Sequence, residues 1–562
     1  METSDPAPMD SDPTRTLIPR PEAIVVPRRH GEILIEPPAT RLAEFLSSAK
    51  PQPSGQTIAG ISRRTWSELA RRELMDAMVQ FAGEIGFAPP PGDAADRRWV
   101  ITGHQVELYH PGVWSKVLLI DALARQSDSL AIDLLVDHDT VDHLGCAVPY
   151  WNGPRLEKST VAWSEASTLP AEFLSAPQGK QKDNWLENIR AFPMAGSDSM
   201  RQFTATMADD CDTRYVTWMG RARRRFEQSF GINVQHVPCA YICSGTAWHS
   251  LVMAWVRNAR HWCLTYNAAL EQYRRRQGIT NPGHPMPNLA VSNDDIELPF
   301  WIYADHQPRH RLTWHEHNGA YLAYGQKHIN IADLLTGDLP RSGNLLRERL
   351  ATADLRVRPR ALTLTMFVRL FLSDLFIHGI GGALYDQMTD QIMEQLFGIQ
   401  SAYACASAGW LLPVAGDIDW RDADVAQLKS LRHHWRGNPE LLQSQLSQSE
   451  AGRQLFRRRR ELIERITASL ADDRRHQRRR GPNWQSRRHD FHDLHDINDQ
   501  LAALFQNDYH ELETRIIKAE LTRKNLSVAS GREYFLALHP RVSLQALIDA
   551  IRAMVPISPA AP

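Results

Sequence analysis

Between Trp99 and His143, two short apolar runs flank a stretch of helical periodicity, and each run ends in polar, ionisable residues. Trp99, Val100 and Ile101 suit a buried strand, and Thr102-Gly103-His104-Gln105 then breaks the run into a loop. Val113, Val117, Ile120, Leu123 and Ala124 recur at helical spacing up to Arg125, with Pro111 and Gly112 near the start. Leu130 to Val136 is a second, mostly apolar run, closed by Asp137-His138-Asp139. The unit reads as strand, loop, helix, strand. Parallel α/β sheets place ligands at the carboxyl ends of their strands, so both polar clusters are expected to open onto one crevice.

The chain has 562 residues, too many for one core, and the expectation is two to four domains or one domain with large insertions. Apolar residues make up 43% and charged residues 23%, and the formal net charge of -1 gives no global argument for nucleic acid or a membrane surface. No run approaches the roughly twenty apolar residues needed to span a bilayer. Residues 1–22 are rich in Pro, Ser, Thr and Asp without an apolar segment, and read as a disordered leader rather than a signal peptide. Six scattered cysteines then read as reduced thiols of a cytoplasmic protein. Cys239 and Cys243 have no second Cys or His pair to complete a zinc site.

An α/β core is expected over residues 23–154 and again over 355–438. Residues 155–354 read as an insertion, helical and polar at first and then a small antiparallel sheet around 297–303, 310–314 and 320–324. A long helical pattern runs from Trp248 to Arg276, and Ala361 to Ile377 reads as an apolar helix leading to His378-Gly-Ile-Gly-Gly382. In 439–530 two helical stretches, 439–477 and 491–526, are joined by Arg478-Arg-Arg-Gly-Pro-Asn483. Ile463, Ile466 and Leu470 on one, and Ile497, Leu501 and Leu504 on the other, give seams for an antiparallel hairpin. Residues 531–562 form a return segment and tail.

The candidate site begins with Thr102, Gly103 and the amides at the start of the next helix, which suit a phosphate or carboxylate. His104 and His110 are placed to donate to that anion, and Lys116 lies about one turn into the helix. The competing reading makes Gly103 a tight turn, the histidines its caps and Lys116 a surface residue. Asp137, His138 and Asp139 can hold an ammonium, orient a ribose or bind a divalent metal, or the carboxylates can cap the following turn. His143 has weaker grounds. Gly381, Gly382 and Tyr385 either line the crevice from the other half of the fold or serve close helix packing. Residues 453–490 carry thirteen arginines against five acidic residues, yet aromatic residues for base stacking are nearly absent, Trp484 being the exception. A solvated helical face is therefore favoured over a nucleic-acid surface. No nucleophile elbow, P-loop or dinucleotide fingerprint is present.

The pattern resembles the bacillithiol biosynthesis cysteine-adding enzymes, whose Thr-Gly-Gln-Gln, Gly-Pro, helical Lys and Asp-His-Asp elements match Thr102, Gly103, Gln105, Gly112, Lys116, Asp137, His138 and Asp139. Gly381-Gly382-Ala-Leu-Tyr385 is similar to that family's Gly-Gly…Tyr segment. His104 stands where the family has Gln. The resemblance implies a nucleotidyltransferase-like Rossmann core with insertions, and a C-terminal coiled coil used in homodimerisation. It also implies ligation of a cysteine carboxyl group to an amino-sugar amine after nucleotide-dependent activation. In that reaction His104 and the amides near Gly103 would stabilise phosphate or carboxylate charge, and Asp137 or Asp139 would orient or deprotonate the amine. The expected partner is a small-molecule substrate; ATP or another nucleotide, and a divalent metal, are the open cofactor choices. The alternatives are a non-catalytic adaptor working through the helical hairpin, and an RNA-binding protein using its arginines.

Overall fold

The computed structural model describes residues 18–22, 24–48, 55–209, 212–315, 320–325, 327–414, 424–437, 449–475, 483–504 and 506–555. Most of the expected leader, the joint at 478–482 and the end of the tail lie outside the described residues. The described residues fall into two compact units. One lies within Met1–Tyr150, Lys158–Leu411 and Arg532–Pro562, the other within Trp151–Glu157 and Leu412–Gly531.

The first unit is a mixed α/β structure around a six-stranded, mainly parallel sheet. In chain order its strands are β1 (Glu32–Glu36), β2 (Trp99–Gln105), β3 (Leu130–Val136), β4 (Gln235–Pro238), β10 (Leu375–His378) and β11 (Tyr403–Gly409), and β5 to β9 belong to a second sheet. Their spatial order is β1-β11-β10-β2-β3-β4. Only β1 runs antiparallel to its neighbour. The chain therefore builds outward from β2 in one direction through β3 and β4, and later in the other through β10 and β11. Helix α1 (Pro111–Ser127) carries the chain from β2 to β3, as its apolar spacing predicts, and α2 (Ile380–Phe397) follows β10.

Three sequence expectations change here. Thr102 to Gln105 is not a loop: β2 continues to Gln105, with Gly103 opposite Leu134 and Gln105 opposite Val136. A Cβ on Gly103 would sit 3.1 Å from the Leu134 Cβ, so the glycine serves close strand packing rather than a tight turn. Ala361 to Ile377 is not one helix either. It divides into a helix (Ala361–Phe367), a π-helical turn (Val368–Leu372) and strand β10. A continuous apolar run satisfies a buried helix and a buried strand equally, and periodicity does not separate them. Likewise the long pattern from Trp248 forms two helices, Thr246–Arg257 and Ala259–Gln277, meeting at Asn258.

The expected small sheet has five antiparallel strands: β5 (Asp295–Ala304), β6 (His310–His315), β7 (Tyr321–Tyr324), β8 (Lys327–Asn330) and β9 (Leu355–Pro359). Its apolar face joins the same core as the central sheet, where Trp66, Trp99, Trp248 and Trp255 are fully buried. Among the described residues no helix is long and apolar enough to cross a membrane.

The second unit is helical: α3 (Val425–Gly437), α4 (Glu450–Arg475), α5 (Trp484–Leu504) and α6 (Gln506–Ala529). Leu462, Ile497, Leu501, Leu512 and Ile516 form its core. Of the expected seam, Ile466, Ile497 and Leu501 are buried, while Leu470 and Leu504 are exposed. Arg457, Arg458 and Arg460 face outward on α4, whereas Arg459 is buried and donates to Asn498 at 2.8 Å.

Across the centre of the first sheet the Thr102 hydroxyl donates to the Ile377 carbonyl at 2.7 Å, tying β2 to β10. Thr102→Val is expected to destabilise the protein by about 1–2 kcal/mol, read from the urea midpoint, and Thr102→Ser is expected to restore most of it.

Candidate functional site

A cavity of about 900 Å³ opens where the sheet's chain order reverses. It is bounded by the carboxyl ends of β2, β3 and β10, through Gly103 to Gln105, His138 and Asp139, and His378 to Gly382. This is the location where open α/β sheets bind ligands. Its lining carries Lys116, Arg309, Arg311, Arg360 and Arg532 against a single carboxylate, Asp139. An excess of cations in a concave, partly apolar site favours anionic ligands.

Lys116 is buried, not on the surface, and donates from Nζ to the Gly103 carbonyl at 2.6 Å. Burial pushes its pKa down to about 8 against the favourable influence of Asp133, so it is mainly cationic at neutral pH. His104 lies edge-on to Tyr109 at 5.4 Å, with Nδ1 3.3 Å from the Gln105 carbonyl. Burial first, then Lys116 and Arg223, push the His104 imidazole down to about 3, so it is neutral at physiological pH. It can accept a proton or hydrogen bond but contributes no positive charge to an anion.

Asp139 is the acidic residue of the cavity. Its carboxylate accepts from Gln105 Nε2 at 2.8 Å, which links the ends of β2 and β3, and it is ion-paired with Arg309. The Arg309 guanidinium lies 5.0 Å from the Trp301 ring centre, and Arg360 lies 4.5 Å from the same ring. Arg360 and Arg311 share the buried Glu297 at 2.7 and 3.3 Å. Arg532 is held by Ser407 Oγ at 2.6 Å and the Pro27 carbonyl at 3.1 Å. The loop carrying Pro285, Met286 and Pro287 closes one side, pinned by Arg274 to the Pro282 carbonyl at 2.7 Å and to Asn288 at 2.7 Å.

The sequence-derived candidates separate cleanly. Gly103, His104, Gln105, Lys116, His138, Asp139, Gly381 and Gly382 line the cavity. Thr102, His110, Asp137 and Tyr385 are not among its lining residues. Thr102 is spent on the β2–β10 bond. His110 caps α1: its Nδ1 accepts from the Gly112 amide at 2.9 Å, and its Nε2 pairs with the Trp410 carbonyl at 2.9 Å. That cap also occupies an amide expected to cradle an anion. The start of α2, at Gly379, has no capping side chain. Tyr385 packs edge-on to Tyr273 at 6.3 Å.

Asp137 is buried and its carboxyl accepts from the Ala240 amide at 2.9 Å. Burial, reinforced by Glu172, pushes its pKa up to about 8, so it is protonated at neutral pH. His138, next along the chain, is buried and neutral, pushed down to about 4 by burial, and its Nδ1 has no hydrogen-bond partner among the described residues. Among the described residues no group of three or more His, Cys, Asp or Glu side chains is arranged to hold a metal.

The four arginines were the part missed by sequence reasoning. Arg309 precedes β6 and Arg311 lies within it, Arg360 follows β9, and Arg532 lies after the helical unit, so no local spacing unites them. His378 was visible as the residue before a glycine cluster, but the helical reading of the preceding run hid its place at a strand end. Comparisons of the chain with protein-family models and with curated proteins gave no match.

The raised Asp137 pKa has a signed consequence. Its folded pKa exceeds the unfolded carboxyl value, so the stability it contributes is present below about pH 4 and is lost as pH rises through about 8. Asp137→Asn, which retains an acceptor for Ala240, is expected to remove that decline. The check is the difference in urea midpoint between variant and wild type from pH 4 to pH 8.

Proposed function

We propose that the chain is a nucleotide-dependent ligase on a nucleotidyltransferase-like Rossmann core, joining the carboxyl group of an amino acid to the amine of a small metabolite. The observation that carries this reading is the cavity itself: carboxyl ends of parallel strands, at the reversal of strand order, lined by four arginines and a lysine. Carboxylates and phosphates are the two anion types that such a reaction must hold together. The bacillithiol cysteine-adding type supplies the chemical template, with cysteine as the acid and an amino sugar as the amine. The α4 to α6 helices are the proposed homodimer element on the same reading.

In this scheme Lys116 and the uncapped start of α2 receive phosphate oxygens, because both present positive charge on one side of the cavity. Arg309, Arg311 and Arg360 receive the carboxylate end or a second phosphate. The Trp301 face, already carrying two guanidinium groups, limits how far those arginines swing. Asp139, fixed by Gln105 and Arg309, accepts a hydrogen bond from the incoming amine and orients it. His104 supplies a neutral imidazole that accepts a hydrogen bond from the nucleotide or amine. ATP is the natural activating nucleotide; bound with a divalent cation, it would bring that cation as part of the substrate.

Thermal unfolding of the full chain tests the reading. ATP or pyrophosphate at about one hundred times Kd is expected to raise Tm on the order of 3 °C. Lys116→Ala and Arg309→Ala are expected to lose the shift, while His143→Ala, an exposed change away from the lining, keeps it. If the folded wild type gives no shift with ATP, pyrophosphate or amino acids, the ligase reading fails.

A further inference from the structure

His378 ends β10 and lines the cavity, and its Nε2 pairs with Asp386 Oδ2 at 2.8 Å. Asp386 is itself fixed: Thr365 Oγ1 donates to its other oxygen at 2.7 Å, and it is ion-paired with Arg369. Arg369 is fully buried and also holds Asp390 at 2.6 Å. A carboxylate on Nε2 fixes the tautomer: Nε2 carries the hydrogen, and Nδ1 keeps its lone pair. Nδ1 makes no hydrogen bond among the described residues, and it lies on the side of Gly382, another lining residue.

Gly382 shows that this nitrogen is kept uncovered. It lies in the first turn of α2 with an ordinary helical φ, so no backbone requirement calls for glycine. A Cβ there would stand 2.7 Å from His378 Nδ1, whereas a Cβ on the neighbouring Gly381 meets nothing within 4 Å. The ring has no room to retreat, being edge-on to Phe376 at 4.5 Å and to Tyr403 at 5.7 Å.

We propose that His378 is the general base of the cavity, taking through Nδ1 a proton from a primary-amine nucleophile, with Asp386 and Arg369 as positioning residues. This rests on the amine-acylating reading above. The co-reactant is a mixed acyl–phosphoric anhydride made from the substrate carboxylate and the nucleotide. The amine nitrogen bonds to the acyl carbon, the bond from that carbon to the phosphate oxygen breaks, and the phosphate leaves with the electron pair. The nitrogen's surplus proton passes to Nδ1, and Asp386 balances the imidazolium that forms. Lys116 and the start of α2 face the leaving phosphate.

Carbethoxylation of the full chain by diethyl pyrocarbonate, mapped by peptide mass spectrometry, tests the base without requiring the substrate. The reagent attacks unprotonated imidazole nitrogen. His378 is expected to react, and Gly382→Ala is expected to slow it at least tenfold while Gly381→Ala leaves it unchanged. The charged and titratable groups facing the ring are Asp386 from α2, Arg369 from the π-helical turn and Lys116 from α1, with Tyr403 of β11 beside it. Burial and the two cations hold its pKa below the ordinary histidine value, against Asp386. Asp386→Asn is therefore expected to move the half-maximal rate to lower pH, which a merely structural Asp386 would not do.

An unreactive His378, or equal rates in the two glycine variants, overturns the base assignment. Protection of His378 by pyrophosphate supports the anion site beside it. Reactivity with the expected glycine contrast, but no thermal shift by ATP or pyrophosphate, keeps the accessible base and sinks the ligase reading.

Discussion

The pairing of β2 with β10 is the constraint from which the site follows. These strands come from positions 275 residues apart, as the Thr102–Ile377 hydrogen bond records, and they lie side by side and parallel. Their register sets Thr102 opposite Ile377, so Gly103 and His378 emerge together at the same edge. From this pair the sheet grows in opposite directions, to β3 on one side and through β10 to β11 on the other. The opening left at that edge is the cavity.

What fills its walls is set by burial energetics. Cations this close to a low-dielectric core are tolerated only with partners. Lys116 therefore takes the Gly103 carbonyl and Arg360 takes Glu297, while the exposed Arg311 and Arg532 reach Glu297 and Ser407. The pairing is incomplete in charge terms, since the lining itself contributes one carboxylate. That residual positive charge is what an anionic ligand would complete. Burial also sorts the adjacent acids and bases: it protonates Asp137 and keeps His104 and His138 neutral, while Asp139 lines the cavity in its pair with Arg309.

The β2–α1–β3 unit was legible because its strands and helix differ in period and are separated by polar residues. Leu130 to Val136 is a strand with the expected bounds. The Asp137-His138-Asp139 cluster was legible as a strand end, but not which carboxylate points where. That depends on the Ala240 amide, which follows the neighbouring strand β4 and claims Asp137. His378 was hidden because an apolar run from Ala361 shows no boundary until Ser373 and Asp374 turn the chain. The arginines were hidden for a different reason: their convergence is a property of tertiary topology, with Arg309 and Arg532 separated in sequence by the whole helical unit.

The central claim is that ligand binds at the carboxyl ends of the strands. A second cavity, of about 980 Å³, lies near the opposite ends, lined by Arg63, Arg71 and Arg98 beside Asp374, and offers a direct contrast. Photo-crosslinking with an azido-adenine nucleotide, followed by peptide mapping, distinguishes the two. The account predicts label in peptides containing Gly103 to Lys116 or His378 to Gly382, and label confined to the peptides around Arg63 to Asp76 would contradict it.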